Sequence, residues 1–269
     1  MLLSRNSQGS SKEYYAMLKE AGWQAIDINE TCNPAKFLVS QEEQDKFLES
    51  VIKNIEEAGL VVGQCHAPMA EWYAGKTDEE IETKILSIVN CVRTVGKYNV
   101  PCTIVHPFIY SWSENDPDPE RTFNLNVEYL KRVCEVCGNT LVCLENMPGY
   151  RGAVISGEDM KKMGEAVGDK LYFCLDTGHA SSNNLNTSSF FEAVGDRIKA
   201  LHVHDSMAGM DKHLLPYLGG GDWQDFKNAI KKYNYTGTLN SEANYAIKLP
   251  NEKRLTWEKH EREVFETLL

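Results

Sequence analysis

The sequence predicts one α/β domain over residues 1–269, a closed barrel of eight parallel strands with a short first strand and a helix after each strand. Three observations predict it. Leu171–Asp176 reads Leu-Tyr-Phe-Cys-Leu-Asp, uncharged until its last residue, as a strand buried on both faces does. Strand-like runs of this kind alternate eight times with helical patterns and no linker intervenes, which implies parallel pairing. Six of the runs deliver a His, Asp or Glu at or near their ends. In a β/α barrel those ends form the C-terminal rim, where active sites are built.

The elements follow in order. Residues 1–4 form a very short first strand, and Ser10–Ala21 a helix with Tyr14, Tyr15, Leu18 and Ala21 on one face, stopped by Gly22. Gln24–Ile28 is strand two, with Asp27 and Glu30 at its end. Gln41–Ala58 is amphipathic through Phe47, Leu48, Val51, Ile52 and Ile55 and closes at Gly59. Leu60–His66 is strand three, and a loop with Trp72 and Tyr73 follows. Thr77 with Glu80 three residues on is a capping-box pattern opening helix Asp78–Tyr98. Pro101–His106 is strand four. Pro107–Pro119 is a proline-broken loop carrying Phe108, Tyr110 and Trp112, which suits either a substrate wall or simple packing of the loop. Helix Glu120–Gly138, strand Thr140–Glu145, loop Met147–Ala153 and helix Gly157–Gly168 come next. Strand six ends at Asp176, and Thr177-Gly178 reads as a turn. A helix near Ser188–Gly195, strand 198–204, a glycine-rich loop, helix 222–233, strand 236–242 and a helix from Asn251 complete the chain.

Composition limits the function. Apolar residues make up 42% and charged residues 25%, ordinary values for a globular protein with one large core. The net charge of −11 argues against a nucleic-acid partner, whose phosphates are held by Lys and Arg. No apolar run reaches the roughly 20 residues of a membrane helix, so no membrane partner is expected. The start, Met-Leu-Leu-Ser-Arg-Asn, lacks the basic-then-apolar order of a signal peptide, and a cytoplasmic protein is expected. Of eight cysteines, Cys65, Cys102, Cys143 and Cys174 sit in strand runs as small hydrophobes. The Cys134–Cys137 pair lies inside a helix with no second pair or nearby His pair, which favours packing over zinc. The triplet Gly219–Gly221 lacks the Lys-Ser/Thr and the preceding strand of a P-loop, and no GxGxxG follows an early strand.

The strand ends carry the chemistry. The clustered candidates are His66, His106, Glu145, Asp176, His179, His202, Asp211, His213 and Glu242. Carboxylates facing one another within about 5 Å repel unless a cation lies between them. Carboxylate oxygens with imidazole nitrogens suit Zn²⁺, Mn²⁺ or a related divalent ion. His204 is two residues beyond His202 on the same strand face, so spacing alone leaves either as a ligand.

The motifs Leu-Glu-Asn at 144–146, Leu-Asp-Thr-Gly-His at 175–179, Leu-His-Val-His-Asp at 201–205, Asp-Lys-His at 211–213, Gly-Gly-Gly-Asp-Trp at 219–223 and Ser-Glu at 241–242 resemble one superfamily. It is the xylose isomerase-like TIM-barrel group of sugar isomerases and epimerases. Ketose 3-epimerases and inosose dehydratases belong to it, with endonuclease IV as a relative. The resemblance covers nearly the whole chain. It implies that Glu145, Asp176, His202 and Glu242 hold one divalent metal (Mn²⁺, Zn²⁺, Co²⁺ or Mg²⁺), and it selects His202 over His204. It implies that Glu145 and Glu242 also move the proton in an enediolate-type epimerisation, so that Gln at either position should act alike. His66, His106, His179, Asp211, His213 and Trp112 are then expected to meet a small carbohydrate substrate. A homodimer or homotetramer is the expected assembly. The arginine that epimerases carry beyond the strand-seven histidine has no counterpart in Ser206–Met210. An inosose-type dehydratase is the alternative. A nuclease of the endonuclease IV kind would find a candidate for each of its nine ligands, but residues 67–75 and 107–119 carry no Lys or Arg to face a duplex.

Overall fold

The computed structural model describes residues 1–149, 154–244 and 249–269. The barrel strands are β1 (Leu3–Asn6), β2 (Ala25–Ile28), β3 (Val61–His66), β4 (Cys102–Val105), β5 (Leu141–Glu145), β6 (Leu171–Asp176) and β7 (Ile198–Val203). After a small hairpin of β8 (Asp205–Met207) and β9 (Met210–Leu214), β10 (Leu239–Ser241) is the eighth. They close in the order β1-β10-β7-β6-β5-β4-β3-β2, every pairing parallel.

Outside the barrel lie α1 (Lys12–Ala21), α2 (Gln41–Glu57), α3 (Asp78–Lys97), α4 (Pro119–Val136) and α5 (Gly157–Val167). The short α6 (Thr177–Ser182) follows β6 directly, and α7 (Thr187–Val194), α8 (Trp223–Lys232) and α9 (Asn251–Glu266) complete the layer. Local chemistry starts the helices where the sequence does. Capping boxes open α2 at Ser40 and Glu43, α3 at Thr77 and Glu80, and α5 at Ser156 and Asp159. The main core fills the space between helices and strands, with Leu48, Val51 and Ile55 of α2 buried in it. A second, small cluster of Cys102, Ile104, Cys143, Cys174 and Ala200 lies inside the barrel. Cys143, Cys174 and Ala200 each precede a rim residue (Glu145, Asp176, His202) by two positions, so they form the apolar layer beneath the rim. All eight cysteines are free, and Cys134 is buried in α4 as packing. No described helix is long and apolar enough to cross a membrane.

Three boundaries differ from the sequence reading. The first strand is Leu3–Asn6, not 1–4, while Met1 and Leu2 are exposed. Apolarity misplaced it because Ser4, Arg5 and Asn6 are polar yet buried. Arg5 points outward into α9, 3.1 Å from Glu258 and 3.4 Å from Glu261, both buried. Thr177-Gly178 is no turn but the start of α6, capped by Asp176 Oδ1, which accepts from the His179 amide at 2.7 Å. The segment after β7 is not wholly loop, since β8 and β9 pair there with no apolar alternation to announce them. Of the loop read at 147–153, residues 150–153 lie outside the described residues.

Candidate metal centre at the barrel rim

Parallel strands end at one rim, and the predicted residues meet there. Glu145 ends β5, Asp176 ends β6, His202 lies in β7 and Glu242 follows β10. One donor atom from each lies within 4.8 Å of the other three, so the four form one candidate metal cluster. His202 Nδ1 is 3.2 Å from Glu145 Oε1 and 3.3 Å from Glu242 Oε1. That nitrogen is buried and has no hydrogen-bond partner among the described residues. Three carboxylates packed round one imidazole lone pair form a donor set that fits a divalent ion.

The remaining predicted residues surround this quartet. His66 Nδ1 lies 2.7 Å from the Ala67 carbonyl, His179 Nδ1 2.7 Å from that of Asn146, and His213 Nδ1 2.9 Å from that of Glu242. Each main-chain acceptor fixes Nδ1 as the protonated nitrogen and turns Nε2 inward. His66 Nε2 thus sits 2.9 Å from His106 Nε2, which is 3.1 Å from Glu145 Oε2. His179 Nε2 and His213 Nε2 lie 3.5 and 3.3 Å from Asp211 Oδ2. The β8–β9 hairpin is what carries Asp211 and His213 over the rim. His204 does not join the quartet. Its Nε2 is 3.1 Å from Asp176, and its ring stacks on His213 with centroids 4.1 Å apart.

Motif residues outside the ligand set have visible work. Asn146 donates Nδ2–H to the Asp176 carbonyl at 3.0 Å and accepts the Asp176 amide at 2.8 Å, tying the ends of β5 and β6. A Cβ on Gly178 would meet His204 Cε1 at 1.9 Å, so only glycine leaves His204 a path to Asp176. The glycine triplet wraps a carboxylate of the chain itself. Asp205 accepts from the amides of Gly219 and Gly221 at 2.8 and 2.9 Å and from Trp223 Nε1 at 3.0 Å.

Charge balances locally. Burial works to raise the Glu145 carboxyl, but the facing His202 and His106 outweigh it and hold it well below the usual carboxylate range. Burial opposes a charged His179, yet Asp176, Asp211 and Glu145 push its pKa up to about 10. His213 is likewise pushed up to about 9 against burial, by Asp211 and Glu242. Asp211 is lowered, since the two imidazoles outweigh its own burial.

A cavity of about 570 Å³ opens onto the centre. His66, His106, Glu145, His179, His202, Asp211, His213, Glu242 and Trp112 all line it, while Asp176 lies beneath. Of the aromatics in loop 107–119, Trp112 reaches the cavity, and Phe108 packs on Tyr129 with centroids 5.2 Å apart. The sequence reading did not single out Asn6, Asn29, Met69, Trp72 or Asn244 as site residues, yet all line the same cavity. The loop residues carry no periodic signal, and Asn6 lay beyond the strand as first placed.

A closed parallel barrel of eight strands with helices outside it defines a class, the β/α (TIM) barrels. The xylose isomerase-like TIM barrel family model matches residues 15–267, and the chain belongs to that family. An uncharacterised protein, MJ1614, of Methanocaldococcus jannaschii is 26% identical over 170 residues, 63% of this chain and 66% of that protein. Another, y4fM of Sinorhizobium fredii, is 41% identical over 74 residues, 28% of this chain and 24% of that protein. The chain therefore spans less than two thirds of the length of either curated relative it matches. Among solved structures, the Escherichia coli 3-keto-D-glucoside 4-epimerase YcjR superposes with a TM-score of 0.77 at 15% identity, over 99% of both chains. A D-psicose 3-epimerase described with D-fructose gives 0.76 at 12% identity, over 100% of this chain and 99% of its own. The IolI protein, described with a binding zinc atom, gives 0.76 at 16% identity, also over 100% and 99%. At these identities the likeness shows the fold.

Proposed function

We propose that the protein is a divalent-metal-dependent isomerase or epimerase of a small sugar, sugar phosphate or related polyol. The observation that carries this reading is the convergence of Glu145, Asp176, His202 and Glu242 within 4.8 Å beside an open cavity. These four residues would hold one Mn²⁺, Zn²⁺, Co²⁺ or Mg²⁺ ion. Such an ion supplies Lewis-acid stabilisation of negative charge on a substrate oxygen. Glu242 takes the proton from the carbon beside the substrate carbonyl. Asn6 Nδ2 donates to Glu242 Oε1 at 2.9 Å, which leaves Oε2 to receive that proton. Glu145 approaches from β5, with β7 and β6 between it and β10, and serves the opposite face of the same carbon. His179, His213 and Asp211 bind substrate oxygens, and Trp112 forms part of the wall. The test is a panel of ketoses, ketose phosphates and inososes with the Mn²⁺-loaded protein in D₂O. Carbon-bound proton exchange is expected with the true substrate. Exchange with loss of water would replace the epimerase by a dehydratase, and no exchange by a metal-loaded protein across the panel would remove the proposed chemistry.

One observation favours a second reading. His66 and His106 turn both Nε2 atoms toward Glu145 Oε2, at 3.6 and 3.1 Å, while His179 and His213 face Asp211. Nine donors arranged so would also suit three ions and a phosphodiesterase. The net charge of −11 speaks against a duplex substrate. Elemental analysis separates the two: one ion per chain fits the sugar enzyme, three with cleavage of abasic DNA the nuclease.

A further inference from the structure

His202 is oriented unlike the other rim imidazoles. His66, His179 and His213 rest Nδ1 on a carbonyl and turn Nε2 inward. His202 turns Nδ1 inward, and its Nε2 lies 3.2 Å from Asp27 Oδ2. Asp27 belongs to β2 and is fully buried. Its Oδ2 accepts from Gln64 Nε2 and from Asn240 Nδ2, each at 2.9 Å. Thr238 Oγ1 donates to Gln64 Oε1 at 3.1 Å, which fixes the Gln64 amide with its NH₂ toward Asp27. Gln64 is therefore set to donate, Asn240 Nδ2 donates beside it, and Asp27 Oδ2 is the acceptor of both. Two neutral amides are thin compensation for a buried carboxylate. His202 Nε2, itself buried and without a hydrogen-bond partner, is the donor left within reach.

We propose that Asp27 is a positioning residue of the metal centre: it takes the Nε2–H of His202 and so presents the Nδ1 lone pair to the ion held with Glu145, Asp176 and Glu242. This rests on the metal-dependent reading of the site. An outer carboxylate on a metal-binding imidazole fixes its tautomer and raises its basicity. Here it also accounts for the buried polar group of Asp27, Gln64 and Asn240 on the Nε2 side of His202.

The test combines Zn²⁺ titration of the metal-stripped protein with long-range ¹H–¹⁵N correlation of its imidazoles. Zn²⁺-loaded wild type should show His202, assigned by its loss in His202→Gln, protonated at Nε2 and bound through Nδ1. Asp27→Asn should bind Zn²⁺ on the order of 10–100-fold more weakly, with unchanged far-UV circular dichroism before metal is added. A merely structural role would lower stability and leave affinity and tautomer alone. Wild-type affinity in Asp27→Asn, or a wild-type His202 protonated at Nδ1, overturns the proposal while the metal site stands. Failure of wild type to bind Zn²⁺, Mn²⁺ or Co²⁺ at all removes the metal site and the proposal with it. If Asp27→Asn does not fold, the wild-type tautomer decides.

Discussion

Glu145 and Glu242 sit on two sides of one centre, and their surroundings differ. The Glu145 side chain is 2% exposed. Its Oε1 faces His202 at 3.2 Å and His179 at 3.4 Å, and its Oε2 faces His106 at 3.1 Å and His66 at 3.6 Å. Glu242 is 10% exposed, with Asn6 and His202 both on Oε1. A carboxylate with imidazoles on both oxygens is well made to hold charge in place. One with an oxygen left over beside a cavity is better made to move a proton. The same residue type at two strand ends thus meets two environments. On the proposed chemistry Glu242 is the better placed of the pair to take the first proton, while Glu145 is the more firmly held.

The largest expected effect follows on the Glu242 side. Glu242→Gln keeps an oxygen donor and removes the base. Turnover on the true substrate should fall on the order of 10²–10⁴-fold, with metal still bound by elemental analysis. Near-normal solvent exchange in the metal-loaded variant would move the base elsewhere on the rim, to His179 or His213 first.

The next effect tests what supports Glu242. Arg5 donates from Nη1 to the carbonyl of Ser241, the residue before Glu242, at 3.3 Å, and from Nε to Glu258 Oε2 at 3.1 Å. Trp23 Nε1 also donates to Glu258, at 2.9 Å, and Ser241 Oγ to Glu261. Arg5→Met leaves two buried carboxylates without their cation. A loss of about 3–5 kcal/mol is expected by urea denaturation. A loss under about 1 kcal/mol would mean that α9 is held by its apolar contacts alone, as surface substitutions of that size imply.

That same cluster carries a pH dependence. Burial raises the Glu261 carboxyl, with Arg5 opposing and Glu258 adding, to about 7 from 4.5. The folded pKa lies above the unfolded one, so between them the folded state keeps a proton the unfolded state releases. Stability is then greatest at acid pH and declines as pH rises toward 7. Glu261→Gln cannot lose that proton. Its stability relative to wild type should rise by on the order of 1–3 kcal/mol from pH 5 to pH 8. A flat difference across that range would show that Glu261 does not titrate there.

Much of this was legible in the sequence, for physical reasons. Strand ends in a parallel barrel share one rim, so Glu145, Asp176, Glu242 and one of His202 and His204 could be grouped from their positions, and the family resemblance selected His202. Buried apolar runs marked β5 and β6 within a residue. Polar buried strands were illegible: Ser4, Arg5 and Asn6 look like a surface segment until α9 supplies Glu258 and Glu261 from the other end of the chain. Asp27 was visible as a strand-end acid, but its link to His202 spans β1 and β10, which no local pattern encodes. The asymmetry of the two glutamates was illegible for the same reason.

Glu145→Gln is the finest test of that asymmetry. The two Gln variants, alike on the sequence reading, should part on metal affinity. Gln at 145 presents an NH₂ where imidazoles now face both carboxylate oxygens, and it removes the charge that opposes the cost of burying His202 and His106. At Glu242 the cavity lets the amide turn its NH₂ outward. Calorimetric titration with Mn²⁺ should therefore find Glu145→Gln roughly tenfold weaker than Glu242→Gln, a difference of about 1.4 kcal/mol. Equal affinities in the two variants would return Glu145 and Glu242 to a symmetric pair. A weaker Glu242→Gln would reverse the asymmetry and make Glu145 the one that takes the first proton.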